Sequence, residues 1–369
     1  MTMSIFPNPR VRATPFHDAV MAEGATAATV YNHMILPMGF EDAEAAYWRL
    51  IEGVSMWDVA AERQVELAGP DAAKLAQALV PRKVAEQPVG MGWYAPVCDH
   101  DGVLLNDPIL LKLAEDRFWL SIADSDVLFW ARAVAGERGL DVKVFEPDVS
   151  PLAVQGPKAE DVIASMFGED IRHLKYFEFV DKSLDGIPMM LARSGWSKQG
   201  GFEIYLMDGD RGTDLWNMVR EAGKPWDIGP GSPNGWERVE SGLLSWGGDT
   251  DAQTNPFEVR LGRFVDLDSP DDTIGIQALR RIKAEGPKRH QLGVKMDVGG
   301  HLGYFHKKCA VSKDGEDVGR LSATAWSPRL QQNIGICLVS RSVQPGDKVD
   351  LALPDGQIVK GELAKLPFL

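Results

Sequence analysis

Arg193-Ser194-Gly195-Trp196-Ser197-Lys198-Gln199-Gly200-Gly201-Phe202-Glu203-Ile204-Tyr205-Leu206 is the stretch whose reading decides the fold. It predicts a hairpin. The apolar run from Pro188 to Arg193 makes one strand, and Phe202 to Met207 alternates as the next. The loop between them has three glycines, where the backbone needs a freedom that side chains remove. Strand side chains alternate faces with a period of two. Phe202, Ile204 and Leu206 therefore share a face suited to a core. Glu203 and Tyr205 share the other, about 7 Å apart along the strand, at the exit of a loop that carries Trp196. A carboxylate is rarely buried without a partner. Read from the residues alone, this second face is either a solvated strand face with an ordinary Tyr or one wall of a ligand cavity.

Outward from the hairpin, the chain repeats a smaller pattern. Val65-Glu66-Leu67-Ala68-Gly69-Pro70 leads into a helical Asp71 to Val80, and Leu152-Ala153-Val154-Gln155-Gly156-Pro157 leads into a helical Lys158 to Phe167. Both read as strand, Gly-Pro, helix, with Pro in the first turn, where its missing N–H would be unpaired anyway. Strand-rich sequence follows each, Trp93 to Leu120 and Ser183 to Leu206. Two similar α/β halves are expected, with a cavity between or above them. In the first half, Asp101-Gly102 is a hairpin turn signal. The strand Val103–Leu105 then runs to Asn106 and Asp107, and Pro108 marks an edge or a bulge. Asp107 is thus either a ligand contact or a turn residue. Asp124 or Ser125 is expected to cap a helix reaching Gly136.

Nearer the start, Val30 to Pro37 reads as a strand with Tyr31 and His33 on a special face. They are a packed aromatic and a satisfied histidine, or ligand contacts. Glu41 to Val54 has helical character, with Ala46, Trp48, Leu50 and Ile51 as candidate buried positions, and Val54 to Val59 is a short strand. The last part differs. Gln291–Met296, Lys308–Ser312, Gly319–Ala325, Gly335–Ser340, Lys348–Leu353 and Gln357–Ala364 are short strands separated by turns, which predicts a small barrel. A helix from Gly275 to Glu285 leads into it.

Bulk properties narrow the function classes. The 369 residues carry a formal charge of -14, which argues against nucleic acid as main partner, since phosphate binding relies on clustered cations. No run approaches the roughly 18 apolar residues of a membrane span. The polar start, Met1 to Phe16, has no apolar signal core. Cys98, Cys309 and Cys337 are odd in number and far apart, so neither a disulfide framework nor a zinc site is suggested. The seven histidines show no metal-ligand spacing, and His301 and His306 read as solvated loop residues. A cytoplasmic protein is expected, with no membrane or nucleic-acid partner; a homodimer stays a candidate.

Several motifs together resemble the glycine-cleavage T-protein (aminomethyltransferase) family. They are the two Gly-Pro helix starts, Asp101-Gly102-Val103-Leu104-Leu105-Asn106-Asp107 after Tyr94, and Gly195-Trp196-Ser197 with Gln199-Gly200-Gly201-Phe202-Glu203-Ile204-Tyr205. Pro233 to Leu244 is similar to the family's helix beside the folate region, and Ser322 to Leu330 resembles the Ser-Pro-x-Leu turn of its barrel. The likeness covers about 30–369. It implies an α+β fold, with a first α/β half over 1–150, a second over 151–283 and a C-terminal β-barrel over 284–369. Thr29–Pro37, Ser150–Pro157 and Ser194–Tyr205 look closest to the dimethylsulfoniopropionate demethylase branch. Asn106, Asn234 and Gln199 depart from the aminomethyltransferases, which usually carry Asp, Arg and an acidic residue there. Thr254 to Leu261 fits the demethylase pattern less well.

The resemblance implies methyl transfer from a small donor, best matched by the sulfonium of dimethylsulfoniopropionate, to tetrahydrofolate. The products would be 5-methyltetrahydrofolate and methylmercaptopropionate. It matches Asp107 to the family's aspartate near the reaction centre, either orienting the pterin and stabilising developing positive charge or taking a proton. Glu203 matches the glutamate on the pterin's donor edge, and Tyr94 and Arg238 join the folate set. Trp196 and Tyr205, with Tyr31 and Phe177 as weaker matches, would face the cationic donor, since ring faces attract cations. Lys198, His33 or backbone N–H groups would hold the donor's carboxylate. Other readings are an aminomethyltransferase, a demethylase of betaine, methylamine or methoxy donors, or a non-catalytic folate scaffold. The scaffold members carry a Lys-Gly-Cys-x-x-Gly-Gln-Glu signature that this chain lacks. A flavin-linked oxidoreductase would need a Gly-x-Gly-x-x-Gly after a strand, which is also missing.

Overall fold

The computed structural model describes residues 7–40, 42–303, 305 and 307–369. They form two compact units. The first holds the chain up to Ala76, Val84–Tyr94 and Pro108–Asn234; the second holds Gln77–Lys83, Ala95–Asp107 and Gly235–Leu369.

Two sheets build the first unit. One runs Lys143–Phe145, Gln64–Ala68, Arg117–Ser121, Ile109–Ala114, Met91–Tyr94, all antiparallel. The other runs Phe179–Leu184, Ile187–Ala192, Gly201–Leu206, Ser150–Gln155, Ser55–Asp58, Gly229–Gly231, and only its last pair is parallel. The hairpin expected around the glycine loop is Ile187–Ala192 with Gly201–Leu206, in the register Leu191 opposite Ile204 and Ala192 opposite Glu203.

The alternation of this second strand decides where each side chain goes. Phe202, Ile204 and Leu206 enter a core with Leu152, Val162, Ile163, Leu215 and Trp216, under the helices Ala159–Phe167 and Gly212–Gly223. Each such fully buried side chain is worth roughly 1.5–3 kcal/mol against exposure. Tyr205 points the other way and packs with Met190, Ala192, Leu111 and Trp119, in a layer fed by both sheets. The face of Glu203 and Tyr205 is therefore neither bathed in solvent nor simply a cavity wall. It lies between two sheets.

Both Gly-Pro steps lead into helices, Ala72–Leu79 and Ala159–Phe167. Gly156 sits at φ +120, and a Cβ there would lie 2.6 Å from the Gly53 carbonyl oxygen, so the glycine is required by both conformation and space.

Two local expectations change. Val30 to Pro37 is not one strand but a hairpin, Ala27–Tyr31 with Met34–Gly39, turning at Asn32 (φ 48) and His33 (φ 62). Positive φ at both central residues is the demand of a type I′ turn, and Asn tolerates it. Asn32 is buried and donates to the carbonyls of Ala61 (3.0 Å) and Ala123 (3.1 Å), while its N–H donates to Asp124 Oδ1 at 2.7 Å. Asp124 is thus spent on the turn. The helix beyond starts later, as Val127–Glu137, with Asp126 at its N-cap and no side-chain cap bond. In the helix Ala43–Glu52 the buried residues are Tyr47 and Leu50, while Ala46, Trp48 and Ile51 are half-buried; the expected start at Glu41 lies outside the described residues.

The second unit contains a closed six-stranded barrel: Arg289–Asp297, Gln332–Ser340, Glu316–Ser327, Cys309–Lys313, Lys348–Ala352, Ile358–Ala364. Val294, Val311, Leu321, Val339, Leu351 and Leu363 fill it. The same unit holds the helix Ile276–Glu285 and the small ribbon Val97–Cys98 with Leu104–Asn106, turning at Gly102 (φ 80). His301 is exposed and stacks on Trp326, ring centroids 4.4 Å apart; His306 lies outside the described residues. No helix among the described residues is long and apolar enough to cross a membrane.

Candidate functional site

The glycine loop and its exit strand build the candidate site in the first unit. Glu203 is only 6% exposed. Its Oε2 accepts from the Ser194 hydroxyl and from the Tyr205 hydroxyl, the latter at 3.1 Å. Its Oε1 accepts no hydrogen bond from the described residues. Burial raises the pKa of this carboxyl, against the two hydroxyls, which favour the charged form.

Tyr205 is 1% exposed, and its ring stands 6.2 Å from that of Trp119. Burial first, then the charges of Glu203 and Glu62, push its phenol well up, so it stays a protonated donor. Ser121 stands near enough to that phenol to act against the rise. The Ser121 Oγ accepts from Gln64 Nε2 at 3.0 Å, and the same nitrogen donates to the Glu62 carbonyl at 2.8 Å. That carbonyl fixes which end of the Gln64 amide is nitrogen. Gln64 and Ser121 face each other across neighbouring strands of the first sheet.

The loop is held by Gln155, at the end of the strand beside the hairpin. Its Nε2 donates to the Ser194 carbonyl (3.1 Å), and its Oε1 accepts from the Ser197 hydroxyl (2.8 Å). A Cβ at Gly195 would lie 2.0 Å from Gln155 Nε2, and one at Gly201 2.6 Å from it. These two glycines exist to let the amide in. Arg193 anchors the loop's start through the carbonyls of Arg172 and Leu174, both 3.2 Å, and through Glu160 at 2.7 Å.

Other expected site residues fall as follows. Trp196 is half-buried in the loop. Phe177 holds φ +69, which is strained for a bulky residue, and its ring lies 4.2 Å from that of Tyr176. Tyr176 is exposed, and its phenol is pushed up to about 12, chiefly by desolvation and then by the charge of Glu203. Tyr31 packs against Met34, Leu36 and Ala61. Exposed His33 meets Asp126 at 3.2 Å. Tyr94 is half-buried and ends the strand Met91–Tyr94, opposite Ile109.

Asp107 and Arg238 belong to the second unit. Asp107 is half-buried and directly follows the strand Leu104–Asn106. Arg238 is engaged within its own unit: Nη1 donates to Asp249 Oδ2 (2.7 Å) and the Leu243 carbonyl (2.9 Å), and Nη2 reaches Asp249 Oδ1 at 3.4 Å. No group of His, Cys, Asp and Glu among the described residues could hold a metal ion.

The structure thus joins Glu203 and Tyr205 directly and sets Phe177 beside Tyr176. The sequence reading did not single out Gln155, Ser194, Ser121, Gln64 or Tyr176. A polar residue inside an apolar strand, such as Gln155 within Leu152–Gln155, is the one signal that pointed to any of them. Chemically, the site offers a nearly buried carboxylate with one saturated and one open oxygen. That fits a ligand bearing an N–H donor edge, as a pterin does.

Comparison with known proteins places this architecture. The sequence matches the GCVT N-terminal domain over residues 16–269 and the glycine cleavage T-protein C-terminal barrel domain over residues 289–369. The chain therefore belongs to the glycine cleavage T-protein family. It is 44% identical over 354 residues to dimethylsulfoniopropionate demethylase DmdA of Ruegeria pomeroyi, covering 96% of each chain. It is 27% identical over 325 residues to the aminomethyltransferase of Caldanaerobacter subterraneus subsp. tengcongensis, covering 86% of each. The crystal structure of the glycine cleavage system aminomethyltransferase T from Bartonella henselae superposes with a TM-score of 0.84 at 21% identity, over 97% of this chain and 98% of that one. This last likeness establishes the T-protein-like α+β fold.

Proposed function

We infer that this chain is a tetrahydrofolate-dependent methyltransferase that demethylates dimethylsulfoniopropionate, giving 5-methyltetrahydrofolate and methylmercaptopropionate. The observation that carries the reading is the 44% identity to a dimethylsulfoniopropionate demethylase across 96% of both chains. The open Oε1 of Glu203 supports it from the side of the acceptor.

Tetrahydrofolate supplies the nucleophilic nitrogen, N-5, that receives the methyl group. A sulfonium that loses a methyl keeps the carbon–sulfur electron pair and becomes a neutral thioether. The chain therefore needs no acid for the leaving group, and its task is to hold two substrates in line. Holding reacting atoms about 3–3.5 Å apart accounts for much of such an acceleration. We assign Glu203 Oε1 to the N–H edge of the pterin. Trp196 and Phe177 are the ring faces assigned to the cationic donor, each worth roughly 0.5–2 kcal/mol. Asp107 is assigned to orienting the acceptor and stabilising positive charge as it develops. The committed guanidinium of Arg238 favours a supporting role for it, shaping the segment around Asp249. We further propose a cytoplasmic setting, which the free, buried thiols of Cys98, Cys309 and Cys337 suit.

One anaerobic assay tests the reading. The protein, tetrahydrofolate and dimethylsulfoniopropionate are mixed, and both products are sought by mass spectrometry. Turnover to both is expected. Folate binding without either product would keep the acceptor and discard the donor, and a panel of betaines, methylated amines and methoxy compounds would then find it.

A further inference from the structure

One buried amide grips the glycine loop on both sides of Trp196. Gln155 is fully buried at the end of the strand Ser150–Gln155, opposite Gly201. Its Oε1 accepts from the Ser197 hydroxyl at 2.8 Å. Its Nε2 donates to the Ser194 carbonyl at 3.1 Å, with the carbonyls of Phe202 (3.4 Å) and Val154 (3.3 Å) also in reach. Three carbonyls around one end of the amide fix that end as nitrogen, so the other end meets Ser197 as an acceptor. The Ser197 oxygen also accepts from the Gln199 N–H at 3.3 Å. Ser194 and Ser197 are buried, while Gly195 and Trp196 between them are half-buried. Ser194 carries the grip onward, because its hydroxyl donates to Glu203 Oε2. The loop is cut to fit, since a Cβ at Gly195 or Gly201 would strike this amide.

We propose that Gln155 is a positioning residue for both substrates: through Ser197 it holds Trp196 at the methyl donor, and through Ser194 it holds Glu203 at the acceptor. The proposal rests on the reading of Trp196 as the donor's ring face and of Glu203 as the anchor of the pterin's N–H edge. A loop with three glycines loses much freedom when it is ordered. An amide that orders it beforehand removes that loss from the binding step. A fully satisfied buried amide also rigidifies what it touches.

The test combines steady-state kinetics on dimethylsulfoniopropionate, at saturating tetrahydrofolate, with tetrahydrofolate titration calorimetry in the absence of donor. Ser197→Ala should raise the donor's KM about 3- to 10-fold, the scale of one hydrogen bond, and leave folate affinity unchanged. Ser197→Thr, which keeps the hydroxyl, should restore the KM. Ser194→Ala should do the converse, weakening folate binding about 3- to 10-fold with the donor's KM unchanged. Gln155→Met should move both constants. In that background Ser197→Ala should raise the KM no further, because its hydroxyl has already lost its acceptor. Equal shifts of both constants in each serine variant, or a full additive rise in the double variant, would overturn the proposal.

A ligand-free measurement separates its failure from that of the donor reading. In protein labelled with 5-fluorotryptophan, the Trp196 resonance is identified by its loss in Trp196→Phe. It should shift in Ser197→Ala and in Gln155→Met, and return in Ser197→Thr. A resonance that ignores both changes would refute the grip itself. A donor KM that rises in Trp196→Ala but not in Ser197→Ala would also overturn the proposal. A KM that ignores Trp196→Ala, with the resonance shifting as expected, would discard the donor reading of Trp196 and leave the grip on the loop standing.

Discussion

Glu203 in the first unit and Asp249 in the second are both buried carboxylates, and they are treated in opposite ways. Asp249 is saturated. It accepts from Arg238 on both oxygens, from the Ser245 N–H at 2.9 Å and from the Ser322 hydroxyl at 2.7 Å, and its side chain is fully buried. A bidentate guanidinium answers its charge. Glu203 meets two hydroxyls, both on one oxygen, and no ion pair among the described residues neutralises it. Asp249 therefore ties a segment into its unit, whereas Glu203 keeps an unspent acceptor in a place where unspent acceptors are costly. The carboxylate that the protein completes is architectural. The one left for something else to complete is functional.

Mutations can break or sharpen this contrast. Asp249→Ala should have the largest effect, lowering stability by about 3–5 kcal/mol because Arg238 is left buried and unpaired. Thermal unfolding with an unchanged midpoint would erase the contrast.

A third carboxylate, Asp58, lies between the two cases. It is fully buried, accepts from Thr14 Oγ1 at 2.5 Å and the Ala60 N–H at 3.1 Å, and pairs with no cation among the described residues. Burial raises its pKa to about 7, against those two bonds. A carboxyl with a raised folded pKa binds its proton more tightly in the native state. Its contribution to stability is complete below about pH 4 and fades as pH climbs toward 7. Chemical denaturation of Asp58→Asn across that window should lack a downward slope of about 1.4 kcal/mol per pH unit that the unmodified protein has. Parallel curves would mean that Asp58 is ionised throughout.

Glu203→Gln should leave folding nearly intact and weaken tetrahydrofolate binding by about 10- to 100-fold, the scale of a charged hydrogen bond worth about 1.5–3 kcal/mol. Equal damage to folding and binding would make Glu203 architectural after all. The smallest effect is expected for Trp196→Ala, a rise of roughly 3- to 30-fold in the KM of the cationic donor, on the scale of one cation–π contact. Folate affinity should hardly move. If both constants rise together, Trp196 belongs at the folate instead.

Much of the frame was legible in the sequence because it is local. The hairpin Ile187–Leu206, the two Gly-Pro helix starts and all six barrel strands are written in contiguous periodicity and turn residues. The shared face of Glu203 and Tyr205 follows from a period of two. What lies opposite that face does not. Trp119 comes from a strand more than 80 positions away, and no local pattern announces that two sheets will close on it. Gln155 reads as a strand residue until the fold brings Ser194 and Ser197 to its amide. The Asn32-His33 turn was misread as strand because its neighbours are apolar and neither turn residue is glycine. Arg238 is placed at the folate by resemblance alone, and no local pattern announces that its guanidinium meets a carboxylate eleven positions along.

The two hydroxyls on Glu203 Oε2 have a consequence for proton traffic. A conducting wire needs a terminus able to take the proton that its far end gives up. Here both partners of the carboxylate are hydroxyls, Ser194 and Tyr205, and burial keeps the Tyr205 phenol protonated. They can steady the charge of Glu203, but they are a dead end for transport. The proton shed when an amine nitrogen is methylated must therefore leave on the open side of the site, by water or by a group there, and the buried layer between the sheets stays electrically quiet while the methyl moves.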